Sequence, residues 1–176
     1  MPRLDVMHDP QAAIRRVYAY VAYRVGEGAD AEDITSATIE RALRYRETFD
    51  ARRGEPNAWL IGIARRCIAE HVENRPLVTD HVPDAAAQGE LASESASRLD
   101  LRRAVASLGD RERELVALRY GADLTARQIG ELLEMKTNAV EVALHRALQA
   151  LRGALEGVER RQTAGEGERS LRTVEE

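Results

Sequence analysis

The chain has 176 residues, a net charge of −4, 44% hydrophobic residues and only 4% aromatic residues. So few aromatic residues, beside abundant Ala, Leu, Glu and Arg, argue against an all-β fold. The single cysteine, Cys67, excludes an internal disulfide and a cysteine-rich zinc site. Neither a membrane-spanning apolar run nor an apolar leader is present, so we expect a cytoplasmic protein without membrane insertion.

Helical spacing of apolar residues dominates the first 74 residues. Asp9 is predicted to cap a first helix that begins at Pro10 and ends before Gly26. A second helix is expected to begin near Asp30. A third begins at Pro56 and ends before the next proline, because the residue before a proline disfavours helical dihedrals. We therefore predict a small helical domain over residues 1–74.

Composition changes over residues 75–97, where two prolines, three consecutive alanines and a charge of −3 replace the helical spacing. This change predicts a flexible linker. A second helical domain is predicted over residues 98–156, in which Thr125 and Gln128 form a capping box before a short helix, a turn and a longer amphipathic helix. That layout predicts a helix-turn-helix within an all-α, two-domain chain. Residues 157–176 are polar and unpatterned, and we expect a disordered tail.

Motifs for catalysis are lacking in the sequence. It contains no glycine-rich phosphate loop, no His-Glu-x-x-His and no Cys-x-x-Cys, and its four histidines are not at metal-ligand spacing. Cys67 lies on the apolar face of the third predicted helix, and we interpret it as a core residue rather than a nucleophile. We therefore expect neither enzyme activity nor a cofactor or metal.

The predicted helix-turn-helix offers candidate DNA contacts. The second helix of this motif presents side chains to base edges, where Asn pairs with adenine, Arg with guanine and Glu with cytosine. Thr125 and Arg127 are placed to contact phosphates. The residues predicted to face outward are Lys136, Thr137, Asn138, Glu141, Val142, His145 and Arg146. An ordinary helical hairpin with a charged solvent face has the same spacing, so periodicity alone leaves both interpretations open.

A basic strip occupies residues 41–66, where seven arginines stand against three acids. Arginines neutralise phosphates and aromatic rings receive unstacked bases, so a strip that includes Phe49 suits melted nucleic acid. Trp59 is interpreted as a core residue, because an apolar helix face surrounds it.

Two sets of motifs follow each other along the chain. The first comprises Asp30-Ala31-Glu32-Asp33, Arg41-Ala42, Phe49-Asp50-Ala51-Arg52-Arg53-Gly54 and the run from Ala58 to Arg65. The second comprises the run from Leu108 to Glu114, Leu118-Arg119-Tyr120, the run from Leu124 to Leu133, and Val140 with the run from Leu144 to Leu148. They resemble regions two and four of bacterial RNA polymerase sigma factors of the extracytoplasmic-function (ECF) group.

The resemblance implies a transcription initiation factor that binds core RNA polymerase and directs promoter recognition and melting, with an anti-sigma factor as a further partner. It implies polymerase contacts for Asp30, Glu32, Asp33, Arg41 and Arg44. It implies contacts with the melted minus-ten element for Phe49, Arg52, Arg53, Asn57, Arg65, Arg66 and His71. The helix-turn-helix residues named above would read the minus-thirty-five element. A stand-alone helix-turn-helix regulator and a protein-interaction module remain alternatives.

Some positions depart from the family pattern. Glu134 stands where the family usually has glycine, and Glu141 occupies a usually basic position. The unit 125–146 has three bases and three acids, whereas the negative charge of the chain lies mostly in the predicted linker and tail. Since phosphate attraction supplies most non-specific affinity, we expect weak DNA binding by the chain alone and dependence on polymerase.

Overall fold

The computed structural model describes residues 9–52, 54–74 and 92–172, and these segments contain helices but no strand. The α-helices are α1 (Pro10–Val25), α2 (Ala29–Tyr45), α3 (Pro56–Asn74), α4 (Ala92–Ala106), α5 (Asp110–Val116), α6 (Ala126–Leu133) and α7 (Thr137–Arg172). A 3₁₀ turn follows α2 at Arg46–Thr48, and a π-helical turn continues α5 at Ala117–Gly121. The predicted all-α class is confirmed. We call α1–α3 the first block and α4–α7 the second block.

Local sequence signals set several helix ends. The Asp9 side chain accepts a hydrogen bond from the Ala12 backbone N–H at 3.0 Å, so Asp9 caps α1 as predicted. At the start of α6, the Thr125 backbone N–H donates to Gln128 Oε1 at 2.8 Å, and the Gln128 N–H donates to Thr125 Oγ1 at 3.2 Å. The predicted capping box is therefore present, and it fixes where the helix-turn-helix begins.

Two predicted boundaries differ from the structure. Helix α4 begins at Ala92, inside the segment predicted as linker, while most of that segment lies outside the described residues. Helix α7 continues to Arg172, whereas the sequence analysis places a disordered tail from residue 157. Residues 157–172 combine three Glu and four Arg, which favour a helix, with three Gly, which disfavour one, so residue propensity alone does not account for this extension.

The hydrophobic core is shared by the two blocks. Buried side chains of α1 and α3 pack in one cluster with those of α5, the π turn, α6 and α7. Its larger members are Val17, Tyr20, Val21, Ile34, Leu60, Ile61, Ile68, Leu115, Leu118, Leu124, Ile129, Val140 and Leu144. Fully burying each such aliphatic side chain contributes about 1.5–3 kcal/mol. Each block therefore completes the apolar packing of the other.

A glycine permits the closest approach between the blocks. Gly121, at the end of the π turn, lies against the backbone of α1. A β-carbon at this position would be 2.9 Å from the Cα and N atoms of Tyr20. The contact is backbone against backbone, so neither side can yield by rotating a side chain. Gly121 is consequently a structural requirement of the packed arrangement.

Candidate nucleic-acid interface

Helix α7 presents the predicted duplex-reading side chains on its open face. Its buried residues recur at helical spacing: Val140 and Leu144 pack into the shared core, and Ala147 packs in a smaller cluster with Leu108 and Val116. The opposite face is therefore directed to solvent. The residues on that face are Thr137, Asn138, Glu141, Val142, His145 and Arg146; Lys136 directly precedes the helix, and all seven are exposed. Thr125 and Arg127, at the start of α6, are exposed as well.

The turn between α6 and α7 fixes the angle at which that face is presented. Glu134 ends α6 in the left-handed region, with φ 55°. The Met135 N–H then donates to the Gly130 carbonyl at 2.8 Å. A β-carbon on Gly130 would come within 2.6 Å of the Met135 carbonyl oxygen, so the tight turn requires glycine there. Glu134 stands where the family usually has glycine. Its backbone therefore adopts a left-handed conformation that glycine adopts at a lower free-energy cost.

A cavity of about 700 Å³ opens beside the open face of α7. Arg111 of α5 borders it together with Asn138, Val142 and Arg146 of α7. The sequence analysis did not select Arg111, because it lies 35 residues before Arg146 and only the fold places both at this opening. Arg111 adds a positive charge to a unit whose own net charge is zero.

The loop before α3 carries the aromatic pair of the first block. The rings of Phe49 and Trp59 meet edge to face, with centroids 5.6 Å apart. Trp59 is half-buried and packs against the shared core, in agreement with its interpretation as a core residue. The Arg52 backbone N–H donates to Asp50 Oδ1 at 3.0 Å, which shapes the turn and leaves the Arg52 side chain exposed. Arg53 lies outside the described residues.

Two of the residues proposed from the resemblance to contact melted DNA are engaged by the second block. The Asn57 side chain donates through Nδ2 to the Ala122 carbonyl at 2.8 Å. Arg65 Nε donates to Glu114 Oε1 at 2.9 Å, and Arg65 Nη1 lies 3.4 Å from the Leu132 carbonyl. By contrast, Arg66 is exposed.

Glu114 is the centre of a polar cluster between the blocks. Besides Arg65, it accepts a hydrogen bond from the Tyr20 hydroxyl at 3.0 Å, and its Oε2 lies 2.7 Å from Arg24 Nε in an ion pair. Burial and the nearby carboxylate raise the pKa of Tyr20 well above its ordinary value, so the hydroxyl remains a donor. No sequence spacing indicated this cluster, whose members lie on three helices.

The residues proposed to contact polymerase lie along α2. Glu32 and Asp33 are exposed near its N-terminus, and Asp30 lies 3.6 Å from His71 Nε2 at the end of α3. Two arginines of this set pair with carboxylates, Arg41 with Glu70 at 2.8 Å and Arg44 with Glu40 at 2.7 Å. The hydrogen bonds from Arg41 hold the pKa of Glu70 below its usual value.

Within the described part of the chain, no helix has the length and apolarity needed to span a membrane. No group of three or more His, Cys, Asp or Glu side chains there is arranged to hold a metal ion.

In comparisons with known proteins, each of the two blocks matches its own family model. The family models described as "Sigma-70 region 2" and "Sigma-70, region 4" match residues 11–75 and 98–151. The chain is 33% identical to the ECF RNA polymerase sigma factor BldN of Streptomyces coelicolor, over 77% of this chain and 54% of BldN. It is 32% identical to the ECF sigma factor SigF of Caulobacter vibrioides, over 77% of both chains.

The fold resembles that of two solved structures. The sigma factor RpoE of Bartonella quintana, in complex with the anti-sigma factor NepR, superposes with a TM-score of 0.68 at 17% identity, covering 86% of this chain and 97% of that one. CnrH, in complex with the cytosolic domain of CnrY, superposes with a TM-score of 0.58 at 19% identity, covering 87% and 93% of the two chains.

Proposed function

This chain belongs to the ECF group of bacterial RNA polymerase sigma factors, and we propose on that premise that it binds core RNA polymerase and directs it to promoters. Family models match both blocks in the order that the group requires. The stand-alone regulator is not favoured, because it would account for the second block only.

The observation that carries the proposal is the open face of α7. The seven side chains named above between Lys136 and Arg146 are exposed together. The opposite face of α7 is held in place by the shared core. In this proposal, α7 lies in the major groove of the minus-thirty-five element. Asn138 and Arg146 contact base edges, and Thr125, Arg127 and Arg111 contact phosphates.

The first block binds the melted minus-ten element in this proposal. The loop that carries Phe49 and Arg52 provides an aromatic edge and a cation for an unstacked base and its phosphate. The face of α3 with Asn57, Arg65 and Arg66 follows the separated strand. The acidic start of α2 and the arginines behind it contact polymerase.

The remaining proposals follow from family membership. The chain works in the cytoplasm with polymerase, contributes no catalytic group of its own, and is held inactive by an anti-sigma factor. The solved sigma factor RpoE of Bartonella quintana, which is in complex with the anti-sigma factor NepR, supports this last point.

Reconstituted transcription tests the proposed function. The chain is combined with bacterial core polymerase and a library of promoter fragments, and transcripts are mapped. We expect a stable complex and starts at a shared sequence. Arg146→Ala and Asn138→Ala should each weaken selection of that sequence by about 1–3 kcal/mol, the usual worth of one bidentate base contact.

The matched control is Arg152→Ala, which removes an exposed arginine two turns farther along α7 and should leave promoter selection unchanged. Tight, dimeric binding to duplex DNA without polymerase, or the absence of any polymerase complex, would contradict the proposal.

A further inference from the structure

We propose that Glu141 is a specificity-determining residue of α7, and that its carboxylate selects the amino group of a cytosine in the minus-thirty-five element. The proposal rests on the function proposed above for α7, which assigns base contacts to Asn138 and Arg146 only. It gives a role to the acid that stands at a usually basic position of the family.

The open face of α7 has a basic edge and an acidic edge. Arg146 borders the cavity together with Arg111, so positive charge gathers on that side. Glu141 lies five residues before Arg146 and, at 3.6 residues per turn, points about 140° away from it. It is the only acid between Thr137 and Arg146. The face therefore presents a single carboxylate, apart from its cations.

The Glu141 carboxylate is available to a ligand. The side chain is exposed, and among the described residues it takes part in no hydrogen bond or ion pair. The carboxylate of Glu131 on α6 differs, because it is paired with Arg127 at 3.0 Å. A base that binds Glu141 therefore displaces only water and breaks no contact within the protein.

Glu141 also lies in the part of the helix that reaches base edges. It is the fifth residue of α7, and it follows Asn138 by three residues, which places the two side by side on the helix surface. In a helix-turn-helix, the N-terminal residues of the recognition helix contact bases. A carboxylate directed at a phosphate would be repelled, because both groups are anions. Base edges are therefore the ligand that this position favours.

Major-groove chemistry identifies the base. An ionised carboxylate accepts hydrogen bonds and donates none. Guanine and thymine present acceptors to the groove, so neither can bond to it. Cytosine presents its N4 amino group, whereas adenine presents its N6 amino group beside the N7 acceptor, which repels the second carboxylate oxygen. Cytosine is therefore the base that Glu141 selects.

The same carboxylate weakens binding to other sequences. Where no amino group faces it, Glu141 repels the acceptors and phosphates around it and gains no hydrogen bond in return. An acid at this position therefore lowers the affinity for DNA in general while it raises the discrimination between sequences.

Two matched substitutions separate base recognition from general repulsion. Glu141→Gln and Glu134→Gln each replace an exposed carboxylate with an amide, but Glu134 lies in the turn before α7. Promoter fragments randomised over the minus-thirty-five element are transcribed by core polymerase with each chain, and the productive sequences are counted. Glu141→Gln should change the preferred base at one position from cytosine to adenine, because glutamine bonds to both N6 and N7 of adenine. Glu134→Gln should leave every base preference unchanged.

Removal of one amino group tests the contact in the unmodified chain. The selected cytosine is replaced by a pyrimidinone base that lacks the amino group and still pairs with guanine. The replacement should lower promoter binding by the unmodified holoenzyme about 5- to 150-fold, the usual effect of one good base contact. It should leave binding by the Glu141→Ala holoenzyme unchanged, and circular dichroism checks that the variants remain helical.

Three results overturn the proposal. Unchanged base preferences in Glu141→Gln show that Glu141 is an ordinary solvated carboxylate. The same change of preference in Glu134→Gln assigns the effect to charge alone. Equal binding of the cytosine and pyrimidinone promoters by the unmodified holoenzyme excludes the amino-group contact. Failure of the proposed function is separate, since it appears as an absence of promoter-directed transcripts from every sequence with the unmodified chain.

Discussion

The two blocks present their proposed DNA contacts in opposite ways. The second block holds Asn138 and Arg146 in solvent on a helix whose other face is buried, so these side chains are ready for a duplex. The first block holds Asn57 and Arg65 against its neighbour. Duplex DNA is available to a free protein, whereas separated strands arise only after polymerase has engaged the promoter. The difference in exposure follows the order in which the two ligands become available.

The largest loss of stability is predicted for truncation of a side chain in the shared core. Leu118 is fully buried between the blocks, and Leu118→Ala should lower the free energy of unfolding by about 2–5 kcal/mol. Val142→Ala shortens an apolar side chain that is 53% exposed and should change the free energy by less than about 0.5 kcal/mol. Urea unfolding followed by Trp59 fluorescence measures both. Equal effects would contradict a core shared between the blocks.

A smaller difference in stability is predicted between variants of Arg65 and Arg66, which are neighbours on α3. Arg65→Ala deprives Glu114 of a hydrogen-bonded partner and should destabilise the free chain by about 1 kcal/mol. Arg66→Ala removes an exposed side chain and should leave stability unchanged. Both variants should weaken promoter melting with polymerase, as measured by permanganate reactivity of unpaired thymines. Equal stability losses would show that Arg65 is not engaged in the free chain.

Two substitutions of Glu134, in the turn between α6 and α7, separate the effect of backbone strain from the effect of charge. Glu134→Gly relieves a left-handed conformation worth about 1 kcal/mol and also removes a negative charge near the DNA-binding face. Glu134→Gln removes only the charge. We expect both variants to bind mixed-sequence duplex DNA more tightly at low salt, and only Glu134→Gly to gain stability. Fluorescence anisotropy and thermal unfolding provide the two measurements, and a stability gain in Glu134→Gln would refute the role of strain.

The smallest change in stability is predicted for the exposed ion pair between Arg41 and Glu70 in the first block. The pKa of Glu70 is lowered by Arg41, so the folded state binds fewer protons there than the unfolded state. The resulting stabilisation is present at neutral pH and is lost as the pH falls below the ordinary value of 4.5. Glu70→Gln should therefore be slightly less stable at neutral pH, and the difference should vanish in acid. A difference that persists in acid would contradict this linkage.

The sequence predicts the local features of this fold well. Asp9 with Pro10 and Thr125 with Gln128 are signals that act within one helical turn, and the structure confirms both caps. The contacts of Glu114 have no such signal. Its partners lie 94 and 49 residues away, and a glutamate within a charged run resembles any solvated helix residue.

The same limit applies to Gly121. In the sequence it indicates only the end of a helix, whereas the fold uses its missing side chain for contact with α1. Patterns with helical period thus predict which residues are buried, but not which distant surface buries them.

The shared core has a thermodynamic consequence. Because α1 and α3 complete their packing with α5, the π turn and α6, most of the hydrophobic interior belongs to both blocks and is lost in one step. Heating the free chain should therefore give one cooperative heat-absorption peak with equal calorimetric and van't Hoff enthalpies. Two domains on an independent linker would melt one after the other. In this chain, the segment proposed to read duplex DNA also packs against the segment proposed to bind single strands.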